Sequence, residues 1–316
     1  MATLTPSRSL PTTKYLDQLE AYVRDRHPRS LAGIVEARLN DPARFEEIAE
    51  TFMEWAVAVR GEAAIGEMVD SFVRFTTSVN MSQVRYERAG HYENKTFEDC
   101  LQSLYTEKDE MDDYLWGVYL TNFLWAHHTE IILFFTERYL KRLDDVQTLI
   151  EIAPGHGGWG AYALKHLPQT RLVGYDIAPS SIEIATQIMN AAGFANRARY
   201  ELKDALNLEV VEANSADAVI CNFLIEHLER PEKLMAVINH LLKPGQKAFL
   251  TGALTAAQID HIYEFRYESE LVKLAEDNGL RVLETFSGGP RRTLPNAKFL
   301  PRSMALIMQK RQNDIY

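Results

Sequence analysis

The feature that most constrains this chain is a change of period at Asp144. From there to the C-terminus, short β-rich runs alternate with helical ones. Residues 147–153, 171–175, 198–203, 217–222 and 246–252 read as strands. Helical patterns over 157–166, 180–192, 231–242 and 268–278 separate or follow them, and 281–286 and 303–309 read as closing strands. Alternation of this kind predicts a parallel, doubly wound sheet. Ser180 and Glu183 are spaced as a capping box for the second of these helices.

Before Asp144 the chain reads almost entirely as helix. Thr12 or Thr13 is positioned to cap a helix running through Tyr22. Asp41 and Pro42 form a start signal, followed by Phe45, Ile48, Phe52, Trp55 and Ala56 at helical spacing. Residues 62–77 repeat the pattern, 85–94 read as a loop, and 97–105 and 111–140 as helices. The last of these is apolar nearly all round, which predicts burial on several sides. It carries Tyr114, Tyr119, Asn122, Trp125, His127 and His128, which are either satisfied core groups or the wall of a substrate pocket. The chain of 316 residues thus divides into a helical domain, 1–143, and a sheet domain, 144–316.

Composition narrows the partners. Net charge is −10, and no basic footprint for a phosphate backbone is visible. The longest stretch free of Asp, Glu, Lys and Arg, 114–129, is polar at Thr121, Asn122, His127 and His128 and too short to span a bilayer of about 20 residues. No signal-peptide pattern opens the chain. Two cysteines, Cys100 and Cys221, form neither a pair spacing nor a zinc pattern. The expectation is a cytoplasmic protein with no nucleic-acid or membrane partner and with a homodimer left open.

The turn after the first strand carries Glu151, Ala153, Gly155, Gly157 and Gly160. The last three spell G-x-G-x-x-G, a tight turn over which a backbone can approach a ligand. Asp176 ends the second strand, 19 residues beyond Gly157, where an acid can accept from both hydroxyls of a ribose. Its structural alternative is a helix cap, since Pro179 follows.

Five landmarks in order resemble the class I S-adenosylmethionine (SAM)-dependent methyltransferases. They are the turn from Glu151, with Ala153 in place of the family's first glycine; the run 173–180 around Asp176; Lys203, Asp204 and Ala205; the run 217–228 through Asn222, Glu226 and His227; and Leu242 to Gly245. The resemblance covers about 148–250 and implies a Rossmann-like α/β sheet of that type. It implies that Glu151, Ala153, Gly155 and Gly157 surround the methionyl part of SAM and that Asp176 binds the ribose. It further implies that Ile177 packs on the adenine, that Asp204 and Ala205 meet its amino edge, and that Asn222, Phe223 and Leu224 close the pocket. The run of an amine-methylating nucleic-acid enzyme is missing after the fourth strand.

Methyl transfer needs alignment more than a strong base. Where the acceptor must lose a proton, a histidine suits. Candidates are His227, one of His127 and His128 (adjacent helical residues point about 100° apart), and His261 or Tyr263. Tyr175 is a candidate for a cation–π contact with the sulfonium. Arg85 and Tyr86 are candidates for a lid over SAM. No cluster has metal-ligand spacing, so no metal is expected. The leading function is small-molecule methylation. Three alternatives stand beside it: a SAM-consuming enzyme without methyl transfer, such as a cyclase forming azetidine-2-carboxylate and methylthioadenosine; an NAD-dependent oxidoreductase; and a non-catalytic SAM-binding protein.

Overall fold

The computed structural model describes residues 13–104 and 108–312. Seven strands form a single sheet: β1 (Thr148–Ile152), β2 (Arg171–Asp176), β3 (Ala198–Leu202), β4 (Ala216–Asn222), β5 (Leu242–Leu254), β6 (Leu280–Gly288) and β7 (Arg302–Lys310). Their order is β3-β2-β1-β4-β5-β7-β6. β1 to β5 pair in parallel, but β7 lies antiparallel between β5 and β6. The sheet is therefore mixed rather than parallel throughout. No helix intervenes between β6 and β7, so the chain turns back and inserts β7 beside β5.

The order reverses between β1 and β4, which opens a crevice at the carboxyl ends of these strands. The central strands carry near-continuous apolar runs because both faces are covered, as in β4, where Ala216 to Cys221 are all buried.

Seven helices among the described residues precede the sheet: α1 (Lys14–Arg26), α2 (Leu31–Asn40), α3 (Pro42–Arg60), α4 (Ile65–Ala89), α5 (Phe97–Leu104), α6 (Lys108–Leu124) and α7 (Ala126–Phe134). Four more flank the strands: α8 (Gly158–His166), α9 (Pro179–Ala191), α10 (Pro231–Leu241) and α11 (Glu268–Asp277). None of the described helices is long and apolar enough to cross a membrane.

Several boundaries differ from the sequence expectation. Residues 85–89 belong to α4, which ends with Gly90 in the left-handed region. The long helix expected over 111–140 is divided. Trp125 takes an extended conformation between α6 and α7, and the chain then widens through a π-helical turn at Phe135–Tyr139 and tightens into a 3-10 turn at Leu140–Arg142. The break holds neither glycine nor proline; ring contacts of Trp125 with Phe75 (5.9 Å) and His127 (5.6 Å) hold it. The Ser180–Glu183 capping box does not form. The helix starts at Pro179 with Ala178 as its cap, because the Asp176 carboxylate already accepts from Ala178 N–H at 2.9 Å. Thr13 caps α1 without a side-chain bond to the backbone and donates to Asp17 instead. Thr12 and Tyr105 lie outside the described residues. The start signal at Asp41 holds: its carboxylate accepts from Arg44 N–H at 3.1 Å, with Pro42 in the first turn.

The covering helices and one face of the sheet share a continuous apolar core. Its centre is an aromatic seam. Phe135 lies 4.7 Å from Phe249 and 5.3 Å from Trp159, and the Tyr139 hydroxyl donates to Val219 O at 3.0 Å. Phe135 and Phe249 are fully buried.

Candidate active site

The crevice at the β1–β4 reversal continues under the covering helices as a cavity of about 1290 Å³. Its floor is the glycine turn. Ala153, Gly155 and Gly157 all have positive φ, at 52°, 53° and 71°. Ala153 accepts the left-handed conformation that glycine adopts without cost. At Gly157 a Cβ would lie 2.6 Å from Ala185 Cα, so the turn is pressed against α9. A Cβ at Gly160 would fall 2.2 Å from Glu151 Oε2, so this third glycine makes room for the buried carboxyl.

Glu151 is buried at the end of β1. Burial pushes its carboxyl up to about 8, opposed by the Gly160 N–H and by the Tyr200 hydroxyl at 3.5 Å. Asp176 is also pushed upward by burial. It accepts from Gly155 N–H at 3.2 Å and Ala178 N–H at 2.9 Å, which oppose that shift. Those bonds fix the carboxylate at the β2 end and tie it to the glycine turn. Ile177, half-exposed, Asp204 and Ala205 continue the wall from Asp176. Lys203 stands 5.0 Å over the Tyr175 ring, so that ring already has a cation beside it from its own chain.

At the end of β4, Asn222 Oδ1 accepts from the Thr251 hydroxyl at 3.3 Å, while its Nδ2 is buried without a partner among the described residues. An orphaned donor at the mouth of the β1–β4 crevice suits a ligand bearing an acceptor. Phe223 follows with φ 52° and stacks on His128 at 4.8 Å. Leu224 also lines the cavity.

The covering helices close the space. Tyr114 donates to Asp260 at 3.0 Å and receives Gln258 at 3.2 Å. Asn122 meets the His156 ring at 3.1 Å. His128 lies between the hydroxyls of Thr121 (3.2 Å) and Ser303 (3.4 Å). His127 and His128 both line the cavity, where one was expected, because they occupy the first turn of α7 at the Trp125 break. Burial pushes His127 down to about 4 and His128 well below the ordinary range, so both are neutral near pH 7. His227 and His261 face each other at 4.9 Å between ring centres. Burial drives His261 down to about 4 and the neighbouring Glu226 up to about 7.

Five sequence candidates lie away from the cavity wall. Tyr119 is fully buried and donates to Phe52 O at 2.7 Å. Tyr86 donates to Glu264 at 2.5 Å within a separate aromatic cluster. Arg85 pairs with Glu93 on the outer surface. Tyr263 is 40% exposed, beside Phe265. Gly157 faces α9. Conversely, the sequence reading missed His156, Gln83 and the β6–β7 connection, all of which line the cavity. Gln83 donates to Thr255 O and Phe299 O and accepts from Ala257 N–H, stitching α4 both to the loop after β5 and to that connection. Glu87 accepts from Lys298 and Phe299 N–H beside it. Only long-range pairing carries this signal.

Residues 150–247 match the family model of a methyltransferase domain. Over 159 residues the chain is 30% identical to the phosphoethanolamine N-methyltransferase 2 of Caenorhabditis elegans, covering 49% of this chain and 35% of that one. Over 156 residues it is 28% identical to the malonyl-[acyl-carrier protein] O-methyltransferase of Hahella chejuensis, covering 45% and 53%. The chain thus spans between a third and about half the length of these curated relatives. Among solved structures, an O-methyltransferase family protein from Burkholderia thailandensis shares the fold at TM-score 0.54 and 17% identity, over 79% of this chain and 73% of that one. The Haemonchus contortus phosphoethanolamine N-methyltransferase 2, solved with phosphomonomethylethanolamine and S-adenosylhomocysteine, does so at 0.52 and 16%, over 69% and 61%.

Proposed function

We propose, from the premise that the sheet domain belongs to the class I SAM-dependent methyltransferases, that this chain methylates a small molecule enclosed beneath its covering helices. The observation that carries the reading is the size of the cavity. At about 1290 Å³ it exceeds the roughly 300–1,000 Å³ of ordinary small-ligand pockets, which leaves room for an acceptor beside SAM.

The Asp176 carboxylate, fixed by Gly155 and Ala178 N–H, receives the ribose hydroxyls. Ile177, Asp204 and Ala205 flank the adenine. Asn222 offers its unpartnered amide, and Glu151 and the turn at Ala153 and Gly155 border the methionyl arm. When bound, SAM supplies an activated methyl group on a sulfonium. The residues of this chain hold the acceptor in line with that methyl, and the neutral His127, His128 and Phe223 keep water from the path.

A second reading, internal attack within SAM by its own amine, draws on one observation. The carboxyl nearest the methionyl arm, Glu151, sits at about 8, so it is largely neutral near pH 7. A neutral carboxyl does not hold an ammonium, and an apolar wall favours the neutral amine that such an attack requires. Incubation with SAM alone, followed by identification of the nucleoside product, separates the two. S-adenosylhomocysteine that forms only with an added acceptor supports transfer. Methylthioadenosine formed above the uncatalysed rate overturns it in favour of internal attack.

A further inference from the structure

Where β4 and β5 end, two loops bring Glu226, His227 and His261 to one corner of the cavity. We propose that these three side chains form a binding site for a divalent transition-metal ion of the zinc class. A ring nitrogen of each histidine and a carboxylate oxygen of Glu226 lie within 4.8 Å of one another. Ligand atoms held about 2.0–2.2 Å from zinc in a tetrahedron stand about 3.3–3.6 Å apart, so closure around an ion takes about 1 Å of movement from each side chain at most.

The protons are already arranged for it. His227 Nδ1 lies 2.9 Å from Asp260 O, and His261 Nδ1 lies 2.7 Å from Ala256 O. A carbonyl only accepts, so both rings carry their proton on Nδ1 and keep a lone pair on Nε2. A metal-ligating histidine characteristically donates its other N–H to a carbonyl or carboxylate. Asp260 adds a carboxylate oxygen 3.5 Å from His227 Nδ1, and Tyr114 holds that same oxygen at 3.0 Å. Independently, Glu226 Oε2 is buried and has no hydrogen-bond partner among the described residues, in a side chain only 1% exposed. A buried carboxylate oxygen left without a donor is costly, and a cation removes the cost. Two imidazoles and one carboxylate suit zinc, iron(II) or cobalt(II) rather than calcium or magnesium, which take mostly oxygen ligands. All three residues line the cavity, so the remaining coordination positions are filled from it by water or by an acceptor heteroatom.

The test uses the full chain, dialysed against chelator and titrated with cobalt(II) in the absence of SAM, so its result is independent of whether methyl transfer is the reaction. The expected result is one cobalt per chain with visible ligand-field bands. His261→Gln should weaken binding by more than the ~10–100-fold that follows loss of a supporting group, and His240→Gln, outside the cavity, should not. His261→Cys should restore binding with a new sulfur-to-cobalt charge-transfer band, which also decides the matter if His261→Gln fails to fold. Failure of the wild type to take up cobalt overturns the proposal, as does affinity unchanged in His261→Gln. In the first of those cases, perturbation of the His261 NMR resonances by methylammonium would reassign the corner to an organic cation.

Discussion

The two walls of the cavity are built by different means. On the sheet side, the two groups around the glycine turn are fixed by backbone, Asp176 by the N–H groups of Gly155 and Ala178 and Ala153 through its N–H to Tyr175 O at 2.8 Å, and Asn222 adds a bond from the neighbouring strand's Thr251 hydroxyl. On the helical side, side chains reaching across from another element hold Tyr114 (Asp260), Asn122 (His156) and His128 (Thr121 and Ser303), while Gln83 reaches backbone of the sheet domain. A backbone-held cradle keeps its shape through most surface changes. A wall held by side-chain pairs depends on how the helices pack against the sheet. Substitutions on the two sides should therefore separate binding from stability.

The largest effect is expected at the seam. Phe135→Ala removes a fully buried ring between Trp159 and Phe249 and should cost about 3–5 kcal/mol of stability. Chemical denaturation checks this. A loss under about 1 kcal/mol would mean that the helical side is not fastened to the sheet there.

Glu151→Gln comes next and probes the sheet side by pH. The Glu151 carboxyl titrates near 8 in the fold against an ordinary 4.5, so it binds its proton more tightly when folded. Its stabilising contribution is complete below about pH 4.5 and is lost as pH rises through 8. Wild-type stability should therefore decline across that window, by up to about 4 kcal/mol, and the Glu151→Gln protein should lack this part of the decline. Thermal melts at a series of pH values, identical in slope for the two proteins, would refute it.

Asp176→Ala should act on binding more than on folding. Losing a charged acceptor for the ribose costs about 1.5–3 kcal/mol, roughly 10- to 150-fold in SAM affinity. Calorimetry giving unchanged affinity would remove Asp176 from the ribose site. The smallest effect is expected from Tyr139→Phe, which deletes a hydroxyl donor shared between Val219 O and Lys247 O and should cost about 1 kcal/mol of stability. SAM affinity should stay unchanged; if it falls, the division between the two walls is less sharp than the contacts indicate.

How much of this was legible varies with the region. Strands β1, β2 and β4 were placed within a residue or two, because glycine, proline and a change of period punctuate them. The division of 111–140 at Trp125 was not legible, since a helix apolar on all sides carries no period and the break has no breaker residue. The antiparallel insertion of β7 was equally hidden, because alternation reports that a strand exists but not which neighbour it pairs with.

The sequence by itself determined the glycine turn, the acid nineteen residues beyond it and the strand-end positions of Asn222, Phe223 and Leu224, because each is a local demand of backbone geometry at fixed spacing. Only the tertiary structure decided which covering residues reach the cavity. Both His127 and His128 do, because the break at Trp125 starts a new helical turn there, and Tyr119 does not, because its face of α6 packs on Phe52. It also brought His261 to Glu226 and His227 from 34 residues away, through the folding of one loop over another. No spacing rule along a chain encodes that approach, since burial and long-range packing set it.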